Sequence, residues 1–347
     1  MAAAKRTGVV VDPGCLSHDM GRHHPETPKR LQVLLDLMTS SDVVSLGLTM
    51  MDGRRATQGE VRRVHGDAHF RRLMGTEGRT VVMDMDTTAG PRSFDAALRA
   101  AGATVVATEA VVSGNLRNAM ALTRPPGHHA AADRAGGFCL FNNVAIAARH
   151  AQQALGIKKV AIVDFDVHHG DGTQAIFWSD PSVLVVSTHQ YPYFPGGGGA
   201  AEVGEGDGRG TTVNIPLAAG HGDQEYDAIY GALIPRMLEQ FEPGLILVSA
   251  GFDIFVGDVL GGMEVTAEGF GRIATHLRVA ADRLCNGRLV MALEGGYSVT
   301  GLRDGVMASL AAMSRDQKVR KMGGALEEMA LGDAQRNLPA WREFFRL

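Results

Sequence analysis

Residues Val160–Gly172 read VAIVDFDVHHGDG. Four apolar residues run straight into two aspartates, two histidines and a third aspartate. The run lacks the alternation of a half-buried strand, so it reads as a strand covered on both faces. Asp164, Asp166 and His168 stand at i, i+2 and i+4, which places their side chains on one face of an extended segment. Similar runs recur at Gly8–Val11, Ala119–Leu122, Val183–Val186, Thr212–Ile215, Leu245–Val248 and Leu289–Leu293. Between them Phe94–Val112, Asn143–Leu155, Glu225–Gln240 and Ala267–Leu284 have helical character, with apolar residues at three and four spacing or an alanine-rich run. Asn142 and Asn143 can cap the second of these. Strand alternating with helix predicts an α/β fold around a mainly parallel sheet.

In such sheets ligands bind outside the carboxyl ends of the strands. Here those ends carry the chemistry: His128-His129 after Ala119–Leu122, the Asp164–Asp171 cluster, Ser187-Thr188-His189, Asp253 in SAGFD, and Tyr297 in EGGY. A lone Asp-x-His is more often a hydrogen-bonded strand end than a ligand pair. Three aspartates and two histidines within Asp164–Asp171 reverse those odds. A catalytic zinc takes three protein ligands and keeps one position open. Asp166 and His168 supply two, and Asp253 is the natural third. Two carboxylates largely cancel the ion's charge and weaken its acidifying effect on water, so a separate general base is needed. His128 and His129 meet that need, with Asp164 and Asp171 free to set their tautomers. The other pair, His23-His24, reads as a structural or surface pair.

The proposed groups run from residue 124 to 297 and must converge, so the 347 residues read as one domain rather than two. Residues 315–347 read as a helical C-terminal appendage. Net charge is −4, from 34 Lys+Arg against 38 Asp+Glu, which leaves no basic field for nucleic acid. No apolar stretch is long enough to span a membrane, and the N-terminus lacks a signal-peptide core. Three widely spaced cysteines, Cys15, Cys139 and Cys285, argue against a disulfide framework and for a reducing, cytoplasmic setting. Cys139 reads as a buried structural thiol. The glycine-rich patch from Gly196 to Gly210 reads equally as a floppy loop or as the rim of a site.

The motifs RPPGHHA, GGFCLFNN, VDFDVHHGDGTQ, VVSTHQYPYFPGGG, VSAGFD and ALEGGY, in that order, resemble the signature of the histone deacetylase and acetylpolyamine amidohydrolase superfamily. The resemblance covers roughly Gly8 to Ser314. EGGY in place of GGGY is closest to the class II and bacterial deacetylase-like branch. It implies an arginase–deacetylase-like fold: a single α/β domain with a central parallel sheet of about eight strands and helices on both faces. It implies a zinc-dependent hydrolase that removes an acetyl or other acyl group from an alkylamine. Metal-activated water, a histidine pair and a tyrosine oxyanion donor would carry the reaction. The zinc ligands match Asp166, His168 and Asp253, and Fe²⁺ suits the same set. The catalytic pair matches His128 and His129, backed by Asp164 and Asp171, and the oxyanion donor matches Tyr297.

The same resemblance assigns the tunnel walls to Gly137, Phe138, Phe194 and Leu260, with Asp86 at the rim. A K⁺ site would fall at Asp164, Asp166, His168, Ser187 and Thr188, and a second at Phe177, Asp180, Val183 and Thr211. Acetylpolyamine-selective relatives carry an acidic residue at the position of Leu260, so leucine favours acetyl-lysine peptides or simple acylated amines. An arginase-like two-metal hydrolase would need more bridging carboxylates and would leave Tyr297 idle. A catalytically silent binding module would not need the full ligand, histidine and tyrosine set. A homo-oligomer is compatible with everything in the sequence.

Overall fold

The computed structural model describes residues 6–315 and 339–347. Eight parallel strands form the central sheet. They are β1 (Thr7–Val11), β2 (Thr49–Asp52), β3 (Asn118–Leu122), β4 (Val160–Asp164), β5 (Val183–Gln190), β6 (Thr212–Leu217), β7 (Leu245–Ala250) and β8 (Leu289–Leu293). Their order across the sheet is β2-β1-β3-β8-β7-β4-β5-β6.

Alternate residues of each buried strand enter opposite layers, which is why these runs are apolar without interruption. Ala119, Ala121, Ile162, Val185, Leu247 and Val290 face one layer, built with α2 (Ser93–Val112) and α3 (Asn143–Leu155), which follow α1 (Pro28–Met38). Met120, Val163, Val186, Val248 and Met291 face the other, built with α1, α4 (Ala267–Leu284) and α5 (Val299–Ser314). Ala100, Ala103 and Ala107 let α2 lie close to the sheet. Asn142 caps α3 by accepting from the Ala145 amide.

Three local features go beyond the sequence pattern. Glu225–Gln240 is helical throughout, as expected, but a wide π-turn at Ile229–Leu233 lies between the α-helical parts Asp223–Ala228 and Ile234–Phe241. Pro235, near the start of the second helix, cannot donate to a carbonyl four residues back, so the ladder breaks there. Strand β5 runs on through Ser187, Thr188 and His189, which the sequence pattern places after the strand. Strand β2 went unread because it is a four-residue edge strand with alternating partial exposure. Of the proposed C-terminal appendage, residues 316–338 lie outside the described residues. Within 339–347, Trp341 and Phe345 are buried against the main core.

Candidate active site

Four neighbouring strands, β3, β8, β7 and β4, bring the candidate groups together. His128 and His129 follow β3, Glu294–Tyr297 follow β8, Asp253 follows β7, and Asp164, Asp166 and His168 end and follow β4. Residues separated by more than 160 positions therefore meet because their strands are adjacent.

Asp166, His168 and Asp253 offer ligand atoms that lie within 4.8 Å of one another, all buried. Asp166 Oδ1 accepts from His168 Nδ1 at 2.9 Å and its Oδ2 from the Gly295 amide at 2.8 Å. Asp253 Oδ1 accepts from the Val167 amide at 2.9 Å. Its Oδ2 is buried without a hydrogen bond, with His168 Nδ1 at 3.4 Å and poorly aligned. Burial, then the neighbouring Asp166, pushes Asp253 up to about 7. Two crowded buried carboxylates, one oxygen unsatisfied, and one imidazole suit a divalent ion with an open position. Glycine is required at 295, where a Cβ would lie 2.0 Å from Asp253 Oδ2. A further acidic group, Glu60, Glu109 and His150, is crossed by Arg54, which bonds both carboxylates.

His128 Nδ1 meets Asp164 Oδ2 at 2.9 Å, and His129 Nδ1 meets Asp171 Oδ1 at 2.8 Å. Burial opposes charge on His128, yet Asp166 and Asp164 outweigh it and hold its pKa well above the usual value. Burial and then the neighbouring His128 push His129 down to about 4. The two adjacent rings are thus pushed in opposite directions.

Both rings open onto a cavity of about 190 Å³. Its walls include Gly137, Phe138, Phe194, Leu260, Asp86, His168 and Tyr297, so every tunnel residue expected from the sequence lines one space. Gly137 has φ +54°, and a Cβ there would lie 2.3 Å from the His129 ring. Asp86 stands on the turn between the short paired strands Val81–Val82 and Thr88–Ala89. Phe138 packs edge-on to Tyr297 with ring centroids 5.9 Å apart.

Several residues here were not singled out from the sequence. His24 packs edge-on against Phe138 at 4.6 Å, and its Nε2 lies 3.3 Å from the Asp86 carbonyl oxygen. Of the two expected readings, structural or surface, these contacts give His24 the structural one. Tyr193 stacks on His168 and donates to the Leu260 carbonyl at 3.3 Å. Arg30 lies over the Tyr297 ring and donates to the carbonyls of Glu294 and Gly296. Glu26 joins Arg30 to Arg124 in a buried ion network. Asp258 accepts from the Tyr297 and Ser298 amides. Glu294 accepts from the Gly127 and His128 amides. The strand-end rule points to Glu294, whereas Glu26 and Arg30 carry no local signal.

The residues of the two expected K⁺ sites fall in two places. Asp164 and Ser187 are partners across β4 and β5, and Thr188 Oγ1 donates to the Asp164 carbonyl at 3.3 Å. Phe177, Asp180, Val183 and Thr211 meet at the turn before β5, where Thr211 Oγ1 donates to the Asp180 carbonyl at 3.2 Å.

The histone deacetylase domain model matches residues 24–313, and the chain belongs to that family. The probable deacetylase of Archaeoglobus fulgidus is 38% identical over 310 residues, covering 88% of this chain and 86% of its own. The histone deacetylase-like amidohydrolase of Pseudomonas aeruginosa is 37% identical over 319 residues, covering 85% and 82%. The crystal structure of the HDA15 HD domain superposes with a TM-score of 0.88 at 34% identity, over 98% of this chain and 96% of that one. The protein is therefore an amidohydrolase of a metal-dependent deacetylase family, built on that family's α/β fold. No helix among the described residues is long and apolar enough to cross a membrane.

Proposed function

We propose that the chain is one deacetylase domain that removes the acetyl group from acetyl-lysine in peptides or proteins. Asp166, His168 and Asp253 would hold one Zn²⁺ per chain, and Fe²⁺ suits the same donors. The observation that carries the reading is the convergence of this buried ligand group, two His–Asp pairs and Tyr297 at one apolar-walled cavity. When bound, the ion would polarise the acetyl carbonyl and acidify a water.

The remaining steps belong to the protein's own groups. His129, tied through Nδ1 to Asp171, keeps Nε2 free to accept the proton of the attacking water. The Tyr297 hydroxyl donates to the oxygen on which negative charge develops. His128 holds positive charge beside that oxygen, and a histidine then returns a proton to the leaving amine. K⁺ at the two carbonyl clusters would fix the loops behind the ligands. Three buried free cysteines suit a reducing, cytoplasmic setting.

Substrate choice follows from the walls. Phe138, Phe194 and Leu260 would bury the lysine methylenes at roughly 0.8 kcal/mol each. A polyamine would bring a second cation past the same apolar walls without a partner, which is costly. The acetylpolyamine alternative rests on the acidic residues Asp86, Glu202, Glu205 and Asp207 as rim charges; burial, and then Asp84, raise the Asp86 pKa and so weaken its charge.

Comparing kcat/KM on acetyl-lysine peptides with acetylspermidine and acetylputrescine tests the reading. The peptides should be preferred, and Leu260→Glu should shift the ratio toward the polyamines. A wild-type protein at least tenfold better on the polyamines would overturn it.

A further inference from the structure

Glu294 is the residue that sets EGGY apart from GGGY, and the proposed mechanism leaves it unused. It is 1% exposed. Its Oε2 accepts from the Gly127 amide at 2.5 Å and from the His128 amide at 3.1 Å. Its Oε1 accepts from Ser249 Oγ at 3.1 Å. These hydrogen-bond partners are two main-chain amides and a hydroxyl, while a nitrogen of the His128 ring lies within 4.8 Å of a carboxylate oxygen without bonding to it. They join the segment after β3, the end of β7 and the end of β8.

His128 is thereby gripped at two points. Asp164 holds the ring through Nδ1, and Glu294 holds the peptide group from which the side chain departs. The far side of Glu294 is itself fixed, because Arg30 Nη2 donates to its carbonyl oxygen at 2.6 Å. The next residue, Gly295, donates to Asp166 Oδ2 at 2.8 Å. One short segment therefore locates the ligand Asp166 with a backbone amide and the base of the histidine pair with a carboxylate.

We propose that Glu294 is a positioning residue that sets the distance between the histidine pair and the metal ligands, by bracing the Gly127–His128 peptide. The proposal rests on the reading that His128 belongs to the catalytic set. Without the carboxylate, two buried amides lose their acceptor, and the Gly127–His129 turn is free to shift toward other partners. A displacement near 1 Å at a reacting centre can cost about a hundredfold in rate. Substrate affinity should change little, because Glu294 does not line the tunnel.

A brace needs an acceptor, not a charge, and this gives the test. In Glu294→Gln the amide oxygen can accept from Gly127 and His128, while the new NH₂ donates to Ser249 Oγ. In Glu294→Ala both functions go, and Glu294→Asp draws the carboxylate back by one methylene. Steady-state kinetics on an acetyl-lysine peptide, metal content per chain and Tm would be measured for each metal-loaded full-length variant. We expect Glu294→Ala to lose between tenfold and a hundredfold in kcat, with KM within about threefold and metal retained. Glu294→Gln should recover kcat to within about threefold of wild type, and Glu294→Asp should fall between the two. If Glu294→Ala does not fold, the Gln and Asp variants carry the same comparison.

The brace is overturned if Glu294→Gln is as impaired as Glu294→Ala, which would make the charge the active feature. It is equally overturned if Glu294→Ala or Glu294→Asp lowers Tm but leaves kcat at the wild-type level. His128→Ala separates this from the parent reading. Unchanged activity in that variant removes the role of His128, whereas an impaired His128→Ala beside an unimpaired Glu294→Ala removes only the brace.

Discussion

The two His–Asp pairs differ by 0.1 Å in their hydrogen bonds, at 2.9 and 2.8 Å, yet they sit in different surroundings. His128 and Asp164 are sealed, with side-chain exposures of 3% and 2%. His129 is as buried, at 5%, but its partner Asp171 is 28% exposed. Asp164 lies at the end of β4 and also accepts from the Asp166 amide. Asp171 begins a short helix and borders a second cavity of about 250 Å³ with Arg72 and Arg134. Two adjacent histidines with matched partners are thus driven apart: Asp166 and Asp164 outweigh burial at His128, whereas burial and the neighbouring His128 prevail at His129. Environments that push paired titratable groups in opposite directions mark division of labour between charge holder and base.

Both pairs border the candidate ligand group, and loss of one member of that group should have the largest effect. Asp253→Ala should lose its divalent ion and nearly all activity, at least a thousandfold, while both His–Asp bonds persist. Elemental analysis beside kcat checks this. Two ions per wild-type chain, or none in an active preparation, would remove the single-metal site from which the two pairs take their roles.

The next effect compares the histidines directly. General-base catalysis contributes about 10²–10⁴-fold. His129→Ala should therefore cost about a thousandfold in kcat, and His128→Ala, which removes a charge holder, between tenfold and a hundredfold. Metal content should stay near wild type in both. Equal losses would show that the pair acts as one unit and that its asymmetry is idle.

The members of both pairs were legible in the sequence, but the asymmetry between them was not. The strand ends announced His128, His129, Asp164 and Asp171, because a polar cluster directly after an uninterrupted apolar run sits where parallel sheets hold their ligands. The tunnel walls Phe138 and Phe194 became legible only through the family resemblance, since a single aromatic residue usually marks core packing. Exposure of Asp171 was not legible at all. It depends on Arg72, Arg134 and Pro195 leaving space beside it, and these come from three separate segments. The ion network of Glu26, Arg30 and Arg124 was hidden for the same reason: Glu26 and Arg124 stand 98 positions apart. Edge strand β2 was missed because pairing on one side alone demands no continuous apolar run.

A smaller effect separates the carboxylates. Asp171→Asn lets His129 keep a neighbour but removes the acceptor charge, and loss of such an outer partner typically costs 10–100-fold. Because Asp171 is partly exposed, Tm should change by no more than about 2 °C. Asp164→Asn leaves a sealed site with mismatched donors, which costs about 1–3 kcal/mol of stability, so its Tm should fall clearly further. Thermal denaturation beside kcat resolves the two. A stability loss in Asp171→Asn equal to that in Asp164→Asn would contradict the difference in burial.

The smallest effect tests whether exposure, rather than a bonded cation, distinguishes Asp171. Arg134 Nη2 lies 3.3 Å from Asp171 Oδ2, with its own side chain 58% exposed. Pairs of this kind contribute about 0–1 kcal/mol and are screened by salt. Arg134→Gln should therefore lower kcat/KM by less than about threefold, and the difference from wild type should shrink as salt rises from about 0.05 to about 0.5 M. The defect of Asp171→Asn should persist across the same range, since it acts through a direct 2.8 Å hydrogen bond to the buried His129 ring. Kinetics of both variants across a salt series decide between the two accounts. If Arg134→Gln is as impaired as Asp171→Asn at every salt concentration, the guanidinium, and not the opening toward the second cavity, is what makes the second pair unlike the first.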